Sequence, residues 1–243
     1  MDVVRALVDE AARRARGLEV ARSAIGRYAY VELSDGRAGV AYVDWDWVSP
    51  FREYRDLPVD AAEAARLALS YDPVEAAYGV ATINALHDSD LVDADPLDVV
   101  RVPEGSTVSM VGYIRGYVRR LAGRYKLRVF EARPVDDPSV LPWYAEEGLI
   151  PGSDLVIITG VAVVNKTVNR LLELARGSKV VIVGPSTPMI AAPFRGLVSA
   201  LGGSVVADRD AAYRMITHGY GAEALLRMRI LRKATLVLQG RES

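Results

Sequence analysis

Residues 154–188, DLVIITGVAVVNKTVNRLLELARGSKVVIVGPSTPM, constrain the fold more than any other stretch of the chain. Two apolar runs, Leu155 to Ile158 and Val180 to Val183, bracket an amphipathic segment with Leu171, Leu172 and Ala175 on its inner face. Each run stops at a polar turn, Thr159-Gly160 and then Gly184-Pro185-Ser186-Thr187-Pro188. Strand, turn, helix, strand, turn is the βαβ unit of a parallel sheet. Ligands of such sheets bind outside the carboxyl ends of the strands, so both turns fall on the functional edge.

The same grammar extends from Thr107 to the end of the chain. Strands are expected at 107–112, 126–131, 154–159, 179–183 and 204–207, with helices at 114–123, 165–176, 194–202 and 210–217. Right-handed crossovers then give a Rossmann-like parallel sheet flanked by helices, and residues 234–239 are a candidate edge strand. The earlier part reads differently. A helix at 2–16 ends at Gly17, and strands are expected at 18–23, 28–33 and 37–43, the last two joined by a Ser34-Asp35-Gly36 hairpin. An irregular aromatic segment holds Trp45, Trp47, Phe51 and Tyr54, and helices follow at 59–70 and from Asp72-Pro73 onward. Segregated strands and helices mark an α+β region. Residues 88–106 are acidic, hold two prolines and lack a period, as a linker does. The expected organisation is α/β overall: an α+β domain over 1–90, a linker over 91–106 and a Rossmann-like domain over 107–243.

Composition removes several functions. The chain has no cysteine, which excludes disulfides, thiolate nucleophiles and thiolate metal sites. Only His87 and His218 offer imidazole, so a metal needs mostly oxygen ligands or arrives already bound to a small molecule. A net charge of −1 leaves no electrostatic footprint for nucleic acid or an acidic membrane. No apolar stretch reaches the roughly 18–20 residues that span a bilayer. The opening MDVVRALVDEAARR reads as a folded helix, not a signal peptide, and the expected location is cytoplasmic.

Several motifs bear on chemistry. The first βα turn, Gly112-Tyr113-Ile114-Arg115-Gly116, lacks the G-x-G-x-x-G spacing, which argues against a standard NAD site. Glu131 nevertheless ends the second strand, where a dinucleotide fold puts its ribose-binding acid, and it is a candidate ligand acceptor or hard-metal ligand. Asn165 reads as a helix N-cap followed by Lys166 and Thr167. A cation in the first helical turn opposes the macrodipole by roughly 0.3–1 kcal/mol, a sign that a bound anion would reverse. The turn at 184–188 offers the hydroxyls of Ser186 and Thr187 between two prolines, but without Walker spacing. His218 sits at a predicted helix end, as a cap or as a metal ligand, and Asp88, Asp90, Asp93 and Asp95 read as solvated linker.

The segments YGVATINAL (78–86), STVSMVGYIRG (106–116), FE (130–131), DLVIITGVAVVNKT (154–167), VGPSTPM (183–189) and the glycine-rich end at 219–221 resemble one known family. It is described as "putative heavy-metal chelation", a domain of unknown function joining an enolase-N-terminal-like domain to a Rossmann-like one. The resemblance spans nearly the whole chain. It implies a cleft between the two domains, formed by Asn84 from the first and by Glu131, Thr159, Gly160, Asn165, Thr167 and residues 184–188 from the second. The expected occupant is a small anionic metabolite or a metal–chelate complex, and a homo-oligomer is compatible with it. The alternative is a transferase or lyase using a nucleotide-like cofactor, with Glu131 as acid or base.

Overall fold

The computed structural model describes residues 2–53 and 55–238. Tyr54 and Gln239 lie outside the described residues, and with them the end of the strand expected at 234–239. Among the described residues ten strands form two sheets. The first is antiparallel, with β1 (Val20–Ile25), β2 (Tyr28–Leu33) and β3 (Ala38–Tyr42) in sequence order. The second contains β4 (Thr107–Val111), β5 (Lys126–Glu131), β6 (Val140–Pro142), β7 (Leu155–Thr159), β8 (Lys179–Val183), β9 (Ala200–Val206) and β10 (Leu231–Val237). Its spatial order is β10-β9-β8-β7-β4-β5-β6, and only β10 runs antiparallel to its neighbour. The chain is therefore mixed α/β, a mostly parallel seven-stranded sheet flanked by helices beside a small antiparallel sheet. No helix among the described residues is long and apolar enough to cross a membrane.

The two sheets share one hydrophobic core. Val3, Leu7 and Ala11 of the helix Val3–Arg14, and Val80 and Ile83 of the helix Pro73–Ala85, belong to the same cluster as Ile158, Val163 and Phe194. The Pro73–Ala85 helix is buried around nearly its whole circumference, with Asp72 capping its first amides. It lies between β3 on one side and the short helix Val161–Val164 on the other. The outer face of the antiparallel sheet is covered from the far end of the chain, where Ala212 and Ile216 of the helix Arg209–Thr217 pack on Tyr30 and Val40. The hydrophobic driving force holds both parts in one continuous interior.

Three sequence expectations need correction. The helix expected at 165–176 is broken: Val161–Val164 and Val168–Leu174 are separate helices, and Lys166 between them has φ 66°. Asn165 thus sits at the C-cap of the first helix instead of the N-cap of the second. The helix expected at 194–202 is a single turn, Ala192–Phe194, followed by β9 from Ala200. The two glycines of β9 lower its strand propensity, yet Gly202 lies beneath Pro96 and Gly203 beneath Met189, so tertiary cover decides. The acidic stretch after residue 87 is not simply solvated. Asp88 pairs with Arg14 and accepts from Ala191 N, while Asp95 caps the helix Pro96–Val99 and pairs with Arg120.

Candidate functional site

The strand order creates one topological switch point, between β4 and β7, whose chains depart to opposite sides. Gly112 leaves β4 with φ +90°, and a Cβ there would lie 2.9 Å from the Cβ of Thr159 at the end of β7. Gly112 and Thr159 thus form the floor of the crevice. Glu131 ends β5 beside it. Its Oε2 accepts from Tyr113 N at 2.9 Å, and its Oε1 accepts from Ala132 N at 2.8 Å and Arg133 N at 3.2 Å. The carboxylate ties the β4 and β5 exit loops together through three backbone N–H groups.

On the other side of the floor, Gly160 touches the loop after β8. A Cβ at Gly160 would lie 2.6 Å from both N and Oγ1 of Thr187. The first sheet and its helix complete this wall. Ser186 Oγ accepts from Tyr42 N at 2.8 Å, and Asn84 Nδ2 donates to Val40 O at 2.8 Å and to Pro185 O at 3.3 Å. Asn84 is 4% exposed and Thr187 1%, and Asn84 Oδ1 and Thr187 Oγ1 are buried with no hydrogen-bond partner. Such atoms are uncommon in folded proteins.

The structure brings together Asn84, Gly112, Glu131, Thr159, Gly160 and residues 184–188, including the buried Pro188, around this crevice. It places the 165–167 turn elsewhere. Lys166 Nζ donates to the carbonyls of Ser70 and Val164 and stands 5.7 Å from the Tyr71 ring, and burial lowers its pKa to about 8. Ser70 precedes the Pro73–Ala85 helix and Asn84 stands near its end, so the two positions are about 20 Å apart along that helix. Asn165 Oδ1 accepts from Thr167 N and Oγ1. Of the backbone amides at 160–167 and 184–188, expected to hold an anion, those of Gly160, Val163, Asn165, Lys166, Thr167, Gly184 and Thr187 donate within the chain. His218 is exposed at the end of the Arg209–Thr217 helix, with Nδ1 2.6 Å from Arg214 O.

Two features escaped the sequence. Arg133, in the loop after β5, reaches back to the first sheet: Nη1 donates to Tyr42 OH at 2.8 Å, and the guanidinium pairs with Asp44 and Asp46. Nothing in a lone arginine after a strand signals a partner 89 residues away. Beyond β6, Glu146 follows the exposed pair Trp143 and Tyr144. Burial, with the charges of Glu147 and Glu131, pushes its carboxyl up to about 7 from 4.5. An acid raised in the folded state keeps its proton while the unfolded chain releases one, so stability falls as pH climbs from 4.5 to about 7. Glu146→Gln is expected to flatten that part of the profile. Urea melts of both proteins across the interval check this, and parallel profiles would refute it.

Among the described residues no three His, Asp or Glu side chains are grouped to hold a metal ion, and the chain has no cysteine. The donor set does not fit a directly ligated heavy metal. Two open cavities, of about 470 and 330 Å³, lie away from the crevice at the amino-terminal side of the large sheet, one lined by Asp154 and Lys179 and the other by Asp98, Glu104 and Arg124.

Two family profiles match the chain. One described as "putative heavy-metal chelation" (DUF364) covers residues 95–234, and one with the same description (DUF4213) covers residues 8–87. An uncharacterized protein of Methanocaldococcus jannaschii is 28% identical over 201 residues, 76% of this chain and 77% of that one. A crystal structure of a DUF364-family protein of unknown function from Pyrococcus horikoshii superposes with a TM-score of 0.87 at 22% identity, over 97% of this chain and 100% of that one. A second, from Desulfitobacterium hafniense, gives 0.78 at 24% identity over 96% and 99%. At these identities the two structures establish the fold alone.

Proposed function

The chain belongs to the family described as "putative heavy-metal chelation", and from that premise we propose that it binds a small anionic molecule, or a metal ion already wrapped by one, in the crevice between its antiparallel sheet and the carboxyl edge of the large sheet. The observation that carries this reading is the pair of buried, unpartnered oxygens, Asn84 Oδ1 and Thr187 Oγ1. A buried polar atom without a partner costs about 1–3 kcal/mol, which a ligand group bonded to it would recover. Asn84 Nδ2 is committed to two carbonyls, so Oδ1 is left to accept from a donor on the ligand. Thr187 lies beside Gly160, and Gly112 and Thr159 supply the floor. The absence of a three-residue donor cluster favours recognition of the chelating molecule over direct ligation of the metal.

An enzyme, a transferase or lyase with Glu131 as acid or base, draws less support. Both oxygens of that carboxylate already accept backbone N–H bonds.

Thr187→Val tests the site because it removes the hydroxyl and keeps the shape. Free of ligand, the variant is expected to be as stable as the parent or more stable by up to about 1 kcal/mol, since it deletes an unpartnered buried group. Citrate and ferric citrate are the probes. Either should raise the melting temperature of the parent and not of the variant, while a metal salt alone should leave both unchanged. Equal shifts in parent and variant would place the binding elsewhere.

A further inference from the structure

Resting on that cleft reading, we infer that residues 42–47 form a roof over the switch-point crevice, and that Arg133 both latches this roof and takes an oxyanion of the bound molecule. The roof follows from strand order. The exits of β8 and β5 are separated by β7 and β4, three strand spacings or roughly 14 Å. The chain at 42–47 is tied to both exits. On the β8 side, Tyr42 N donates to Ser186 Oγ. On the β5 side, Arg133 donates to Tyr42 OH at 2.8 Å, stands 5.3 Å from the Tyr42 ring, pairs with Asp44, and places Nε 2.7 Å from Asp46 Oδ2. Between these ties lie the exits of β7 and β4, where Thr159, Gly160 and Gly112 form the floor. The crevice is covered by a piece of the other sheet's chain.

Beyond Tyr42 the polar ties of this segment to the second sheet run through Arg133. Val43 is fully buried in the core the two sheets share, so the part free to lift is 44–47. Its only regular structure is one turn, Trp45–Trp47, anchored back to its own sheet by Trp45 Nε1 donating to Gly26 O. Trp47 is 79% exposed and buries too little to fix the segment. Of the two carboxylates at the latch, that of Asp46 is largely exposed and that of Asp44 is 15% exposed, so the outer pair is the weaker one. Solvent-exposed ion pairs hold weakly, and a guanidinium exchanges one planar oxyanion for another with little change of geometry. The charge count sets the direction of the coupling. Two carboxylates share one cation, so when a carboxylate or phosphate of the ligand draws Arg133 away, Asp44 and Asp46 are left facing each other and repel. Binding of the oxyanion and lifting of the roof become one event.

The cysteine-free chain allows a direct test. Thr159→Cys puts a single thiol on the floor, and its rate of reaction with a soluble aromatic disulfide reports how often the roof lifts. Adding Arg133→Gln is expected to raise that rate about two- to fivefold, the scale set by losing ion pairs of a half-exposed guanidinium. Citrate seated on the floor would itself shield the thiol, so its effect is read instead from deuterium exchange of the 42–47 amides in the cysteine-free chain. Citrate should speed that exchange where Arg133 is kept and leave it unchanged in the Arg133→Gln protein. Equal labelling rates with and without Arg133 would overturn the latch, and exchange in the Arg133 protein indifferent to citrate would overturn the oxyanion exchange. The cleft reading fails separately: it falls if no probe shifts the melting temperature, whatever the labelling shows.

Discussion

Gly39→Ala is expected to lower the melting temperature by roughly 6–12 °C, the shift that a loss of about 3 kcal/mol produces in a chain of this size. Propensity predicts the opposite sign, because glycine within a strand is the less favourable residue. The packing reverses it. A Cβ at Gly39 would lie 2.3 Å from Ala81 O and 2.4 Å from Ala85 N, in the backbone of the Pro73–Ala85 helix. Those atoms cannot turn aside as the end of a flexible side chain can, so the helix must move off β3 or the strand must bend. Overpacking of this kind costs about 1–3 kcal/mol where side chains can shift, and more where only backbone can. Gly116→Ala is the control. Nothing lies within 4 Å of its Cβ position on the helix Arg115–Leu121, and a gain of about 0.4–1 kcal/mol is expected there. Calorimetry of both variants checks the pair, and a Gly39→Ala shift as small as that of the control would mean that helix and strand are not in backbone contact.

That contact illustrates what could be read from the residues and what could not. The parallel strands were legible because Leu155 to Ile158 and Val180 to Val183 are apolar on both faces, a pattern set by local burial. The antiparallel sheet was legible from its short strand-like runs and its Ser34-Asp35-Gly36 turn. Of β9 only the end was legible, within the strand expected at 204–207. Its start at Ala200 was not, because two glycines lower the strand propensity of Leu201-Gly202-Gly203 and its place depends on cover from Pro96 and Met189. The break at Lys166 was equally hidden, because its left-handed backbone is held by a bond from Nζ to Ser70 O, 96 residues away.

The site divides along the same line. Thr159, Gly160 and residues 184–188 follow from strand ends, a local property, and so does the position of Glu131. Which of them can meet a ligand depends on the first sheet. Several of the amides that a βαβ motif offers to an anion, among them those of Gly160, Gly184 and Thr187, are taken internally here. The polar atoms left without a partner are instead the buried oxygens of Asn84 and Thr187. Arg133 shows the limit most plainly, since its meaning comes entirely from Tyr42, Asp44 and Asp46 on a chain segment that crosses above it.

Asn84→Asp should then be the most damaging conservative change in the chain, and its damage should depend on pH. The native amide donates from Nδ2 to Val40 O and Pro185 O within a residue 4% exposed. Exchanging that NH₂ for a carboxylate oxygen sets a negative charge against two carbonyl oxygens with no cation in contact. A buried, uncompensated charge costs about 3–5 kcal/mol. The introduced carboxyl can escape part of this by holding a proton, because burial and facing acceptors both favour its neutral, donating form. Its pKa in the folded chain therefore rises above the value of about 3.9 that it has when unfolded. Above that unfolded value the folded state binds a proton the unfolded state has lost, so stability relative to the parent falls as pH rises and levels off past the folded pKa. Urea melts of parent and variant from about pH 4 to about pH 8 measure the gap directly. It should be smallest at the acid end and widen toward neutrality. A gap that stays constant across the range would show that the amide is not bonded as the geometry has it, and the wall that Asn84 contributes to the crevice would have to be redrawn.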